Sequence, residues 1–184
     1  MKSGQLARFQ HVHLAAARNI ALMAAATFAV TFGLCASFGL RINTSPSLPL
    51  GLYIITTDDS ASLVEFCLVG PFATVSLRRG YRDRGTCDDG GAPLLKPLIA
   101  RAGDVVQLSA HGISVNGVLL ANTAPLSKDT KGRQLKAWPF GRYRVTSGTV
   151  WVASSYQLRS FDSRYFGPIS TATIRHRLRP LLTQ

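Results

Sequence analysis

The hydrophobic pattern divides the chain into two unlike parts. From Ile20 to Leu40 the sequence IALMAAATFAVTFGLCASFGL carries no charged residue. At 1.5 Å rise per residue such a helix runs about 31 Å, the thickness of a bilayer's hydrocarbon core. A secretory h-region is shorter, about 7–15 residues, so the segment reads as a transmembrane helix or uncleaved signal anchor. Lys2, Arg8 and Arg18 precede it without an acidic residue. Basic flanks stay in the cytoplasm. The expected topology is therefore a cytoplasmic segment 1–19, a single pass through the inner membrane over 20–40, and a periplasmic domain over 42–184. Leu34 before Cys35 excludes a lipoprotein site, which needs a small residue there.

Beyond Ile42 the period changes to that of β structure. Leu52-Tyr53-Ile54-Ile55 reads as a strand, as does Leu94 to Arg101, with Gly103-Asp104 as a turn. Val105 to Leu108 and Val150 to Ala153 read as further strands. Ile113 to Val115 and Val118 to Leu120, joined by Asn116-Gly117, have the signature of a tight hairpin. The polar stretch Thr123–Phe140 reads as a loop or a projecting ribbon. The fold class expected is mainly β, a sheet-rich sandwich or barrel.

Composition narrows the function. The 184 residues suit one domain plus a short appendage, and 46% hydrophobic content is enough for a core. A formal charge of +12, with Glu65 the single glutamate, suggests an anionic partner. With the domain exported, that partner is the membrane surface and not nucleic acid. In this topology the basic run Arg175-His176-Arg177-Leu178-Arg179 reads as a membrane-surface or solvated tail, although it resembles a phosphate-contact cluster. No CxxC pair, phosphate-binding loop or metal-ligand cluster is present, so no cofactor or metal is expected. Cys67 and Cys87 both fall in the exported part, where thiols oxidise, and a disulfide between them is expected.

Three segments carry candidate chemistry. They are Asn43-Thr44-Ser45-Pro46-Ser47-Leu48-Pro49-Leu50-Gly51-Leu52-Tyr53, Leu94-Leu95-Lys96-Pro97-Leu98-Ile99-Ala100-Arg101-Ala102-Gly103-Asp104, and Arg159-Ser160-Phe161-Asp162-Ser163-Arg164-Tyr165-Phe166-Gly167-Pro168. A serine hydroxyl needs a base to act as nucleophile. A lysine serves only as a neutral amine, and lowering its pKa from near 10.4 to about 8 costs roughly 3 kcal/mol. Apolar surroundings can supply that, and Lys96 sits in an apolar run.

Together the segments resemble the signal peptidase I superfamily, and most closely its TraF-type conjugal transfer peptidases. The resemblance covers essentially the whole chain. It implies a signal-peptidase-like β-sheet catalytic domain (LexA/signal peptidase type) and a serine endopeptidase with a Ser47/Lys96 dyad. It further implies Ser45 as oxyanion donor, Ser160 as the hydroxyl that orients Lys96, and Asp162 as a structural carboxylate paired with Arg164 or Arg101. The implied substrate is an exported precursor or pilin propeptide, matured for conjugative transfer and in some members cyclised. Two departures stand out. Pro97 follows Lys96 where many signal peptidases have arginine, and Ala102-Gly103-Asp104 replaces their Pro-Gly-Asp. A general signal peptidase, a non-catalytic component of a conjugative secretion channel, a nucleic-acid binder and a Ser47/His111/Asp162 triad are the alternatives.

Overall fold

A computed structural model of the chain describes residues 18–30, 33 and 39–184. Met1–Leu40 forms one compact unit and Arg41–Gln184 another. In the first, residues 18–30 are helical (α1), and Ile20, Leu22, Met23, Phe28 and Val30 are exposed. Among the described residues no helix is long and apolar enough to cross a membrane. The span expected over 20–40 lies partly outside the described residues.

The second unit is mainly β. Its strands are β1 (Leu40–Asn43), β2 (Gly51–Thr56), β3 (Leu63–Phe66), β4 (Leu94–Ala100), β5 (Val105–Ser109), β6 (Gly112–Val115), β7 (Val118–Leu119), β8 (Gly141–Arg144), β9 (Thr149–Val152), β10 (Ile169–Ser170) and β11 (Ile174–Thr183). Two short helices, α2 (Pro71–Arg78) and α3 (Ser163–Phe166), interrupt them. A 7-stranded sheet has the order β1-β2-β11-β3-β4-β9-β10, and a 4-stranded sheet the order β7-β6-β5-β8. The β6–β7 hairpin turns on Asn116 (φ 50°) and Gly117 (φ 88°). That left-handed pair matches the twist of the strands it joins.

Strand β9 lies between two cores. Val150 and Val152 pack with Val64, Phe66, Leu98 and Phe166, whereas Trp151 packs with Val106, Leu108 and Ile113. Alternate side chains of one strand thus serve opposite faces, and the strand is buried on both.

The basic run near the C-terminus is not a tail. It lies in β11, antiparallel to both β2 and β3, with Leu178 opposite Ile55 and Leu63. The physical reason is its period of two. Leu178 is buried, while Arg179 is exposed and Arg177 turns to the loop before β3, donating to the Ala61 carbonyl at 3.1 Å. The 123–140 stretch is a loop, one of the two forms expected of it. It is irregular, bridged at Lys128 and Gln134, and tied back by Tyr81 Oη to Asp129 (2.6 Å) and by Arg79 to the Gln134 carbonyl (2.7 Å).

Candidate active site

The first segment becomes the turn between β1 and β2, and one side chain holds it. Asn43 Nδ2 donates to the carbonyls of Ser45 (2.9 Å), Leu48 (3.2 Å) and Pro49 (3.0 Å), while its Oδ1 accepts from the Ser45 N–H (3.1 Å). Tyr53 Oη donates to the Pro49 carbonyl at 2.7 Å. Leu48 is buried against Tyr53 and Leu178, which pins the turn to the sheet. Ser47 sits at its apex, Oγ to Oγ 3.0 Å from Ser45, with its own N–H donating to Ser45 Oγ at 3.4 Å.

Lys96 lies on β4, opposite Val64 of β3 and on the same strand face as the buried Leu98. Its ammonium is buried and donates to Ser160 Oγ at 2.9 Å. Burial lowers its pKa to about 8, Asp162 opposes the shift, and Arg164 adds to it. Pro97 gives β4 no N–H at the next position, but its carbonyl still accepts from Ala153 at 3.1 Å.

Behind Ser160 lies a fully buried ion pair. Arg164 Nε and Nη2 meet the two carboxylate oxygens of Asp162 at 2.8 and 2.7 Å, and both side chains are 0% exposed. Asp162 also caps α3 by accepting from the Arg164 N–H, and takes the Ser154 N–H at 3.1 Å. The remaining guanidinium donors bind the Ser160, Leu158 and Asn122 carbonyls at 3.0, 2.8 and 3.0 Å. Every donor is used, as a buried charge pair requires. Of the two arginines considered for Asp162, Arg164 is therefore the partner. Arg101 instead binds the carbonyls of Asp59, Ser60 and Ala61.

Ser45, Ser47, Lys96 and Ser160 line one cleft of about 560 Å³. Asp162 and Arg164 stand behind it as supports. His111 is not among its lining residues and lies exposed in the turn between β5 and β6, so the Ser47/His111/Asp162 triad is not assembled. His176 is 3.8 Å from Glu65. Cys67 and Cys87 are joined by a disulfide that ties the residue following β3 to the loop after α2. Among the described residues no group of His, Cys, Asp or Glu could hold a metal ion.

Two supporting residues escaped the sequence reading. Asn43 sits two residues before Ser45, a spacing at which asparagine commonly closes a local turn, so a signal was present. Ser154 had none. Its hydroxyl donates to the Ser47 carbonyl at 2.5 Å while its N–H reaches Asp162, linking the serine turn to the ion pair. The arrangement can present a serine hydroxyl and a readily neutralised amine to an extended chain lying in the cleft.

A family model described as signal peptidase, peptidase S26, matches residues 13–181. A plasmid transfer protein TraF of Escherichia coli is 35% identical over 149 residues, 79% of this chain and 83% of that protein. A probable conjugal transfer protein TraF of Sinorhizobium fredii is 38% identical over 150 residues, 79% of this chain and 78% of that protein. The crystal structure of a signal peptidase I from Enterococcus faecalis covers 68% of this chain and 99% of its own, at 20% identity and a TM-score of 0.37.

Proposed function

The chain belongs to the signal peptidase family, peptidase S26, and from that premise we propose that it is a membrane-anchored serine endopeptidase with a Ser47/Lys96 dyad, acting in conjugative transfer. The observation that carries this reading is the buried Lys96 amine, pKa about 8, bonded to Ser160 in the cleft that also holds Ser47. Near neutral pH a useful fraction of such an amine is unprotonated.

In the proposed reaction neutral Lys96 accepts the Ser47 proton as Oγ attacks the scissile carbonyl. The Ser45 hydroxyl turns from Ser47 to the oxyanion, joined by the Ser47 N–H. Lys96 then protonates the leaving amine, and Ser160 holds Nζ in place between the two transfers. Water resolves the acyl-enzyme by hydrolysis, or the substrate's own amine does so by cyclisation. Residues 20–40 anchor the domain to the inner membrane, so the cut falls close to the periplasmic surface. The substrate is a pilin precursor, in line with the conjugal transfer proteins this chain is similar to.

Intact mass of a co-expressed pilin precursor tests the reading. Wild type should trim it, whereas Ser47→Ala and Lys96→Ala should leave it whole. A product lighter by a further water identifies cyclisation. Equal trimming by all three proteins would overturn the dyad. Accumulation of many exported precursors on depletion would point to a general signal peptidase instead.

A further inference from the structure

Most charged groups lining the cleft are held by a protein partner. Glu65 takes Arg41 Nε at 3.2 Å, Arg82 is held by Asp89, and Asp129 accepts from Tyr81 and Arg133 at 2.6 Å each. Lys96 is bonded to Ser160. Lys128 and Arg159 differ. Both line the same cleft, both are exposed, and neither has a charged or hydrogen-bonding partner for its cationic group among the described residues. The opposite charge left over in the lining is that of Asp83, so the uncompensated balance is positive.

The cleft these two cations line also carries a fixed aromatic surface. Phe161 stacks on Tyr165 with centroids 5.5 Å apart and tilts against Tyr81 at 5.0 Å, and all three rings line the cleft. Lys128 is the immediate neighbour of Asp129, whose carboxylate holds the Tyr81 hydroxyl. Arg159 is the immediate neighbour of Ser160, the hydroxyl that holds Lys96. The Tyr165 hydroxyl in turn accepts the Leu126 N–H at 3.0 Å, which docks the Lys128 segment onto the rings. A bound peptide would meet this aromatic surface and two unpaired cations in the cleft that also holds Ser47 and Lys96.

We propose that this part of the cleft is a subsite for an anionic group of the substrate peptide, with Lys128 and Arg159 as its specificity-determining cations. The group is a carboxylate, supplied either by an acidic side chain or by a chain terminus of the peptide. The assignment rests on the reading of the cleft as a peptide-binding site. Exposed charges of this kind act on encounter and selectivity, and their contribution falls with salt.

The test is binding, measured with the full chain in detergent micelles and Ser47→Ala to block turnover. The probes are three fluorescein-labelled, alanine-rich peptides that differ in one feature: a glutamate with an amidated end, a glutamine with an amidated end, and a glutamine with a free terminal carboxylate. At least one carboxylate peptide should bind about tenfold more tightly than the neutral amide, as expected for two partly exposed ion pairs. Which one does so identifies the source of the charge. The advantage should collapse at high salt and disappear in Lys128→Gln/Arg159→Gln, with each single variant keeping part of it. It should persist in Arg142→Gln, a substitution on β8 in the other sheet. An unchanged melting temperature shows that the double variant is folded. Equal binding of the three peptides, no measurable binding of any, or an advantage that survives the double variant would each overturn the proposal. Failure of the Ser47/Lys96 dyad would be read separately, in precursor trimming and not in binding.

Discussion

The two halves of the site are held in different ways. Ser47 is fixed by its neighbours in sequence, through Asn43 bonds that reach no more than six positions along the chain and a Tyr53 bond that spans four. Lys96 is fixed across the fold, by a serine 64 positions away whose own carbonyl is bound by the buried Arg164–Asp162 pair. The geometry of the proposed nucleophile is thus the property of a turn, and the electrostatics of the proposed base the property of a core. Ser154 joins the two halves, bonding the Ser47 carbonyl from 107 positions away. Damage to the turn should therefore appear in catalysis, and damage to the core in stability as well.

The largest expected effect strikes the core half. Asp162→Ala leaves the Arg164 guanidinium buried without its counterion and frees the segment that carries Ser160. Breaking a buried pair in this way costs about 3–5 kcal/mol. Urea unfolding should register that loss together with the loss of trimming. A variant that kept full stability would show that the pair is not what holds the base. On the turn half, Ser45→Ala should lower kcat by roughly 10²–10³-fold, the usual consequence of losing one oxyanion donor. Its unfolding midpoint should barely move, since Asn43 still spans the turn. A matching drop in stability would erase the distinction between the halves.

A third substitution gives a smaller effect of opposite sign. Burial lowers the Lys96 pKa to about 8 from the 10.5 usual for lysine, so the folded state resists its charge. That shift corresponds to about 3 kcal/mol. In the folded chain the amine loses its proton at a lower pH than in the unfolded chain. The penalty is therefore complete below about pH 8 and is relieved as pH rises toward 10.5. Lys96→Met keeps an unbranched stem and removes the charge, although Ser160 loses a donor worth about 1 kcal/mol. At neutral pH the variant should be inactive yet more stable by about 2 kcal/mol. Its advantage over wild type should shrink in alkaline urea titrations. A destabilised variant would contradict the burial account.

The same contrast explains what the sequence made legible. The serine segment and Lys96 were readable only through the three motifs taken together, since alone the first reads as an ordinary polar loop and the second as a surface lysine on an edge strand. The choice between Arg164 and Arg101 for Asp162 was not, since only the folded loop decides which guanidinium faces the carboxylate. Ser154 lies in an unremarkable Ala-Ser-Ser run and acts only through a chain packed beside it. β11 was hidden by its composition: alternating arginines resembled a solvated tail, while the buried Leu178 between them was the sign of a half-buried strand. The helix α2 is only 8 residues long, too short for a helical period to stand out. The disulfide expected between Cys67 and Cys87 is present in the structure, where it closes the segment that carries this helix.

The central claim is that Lys96 is the base for Ser47, and the pH dependence of precursor trimming tests it most directly. With wild-type protein under subsaturating precursor, the initial rate should rise with pH and level off above about pH 8, as the Lys96 amine loses its proton. A rate that stays flat across that range, or one that falls as the amine is neutralised, would contradict the account.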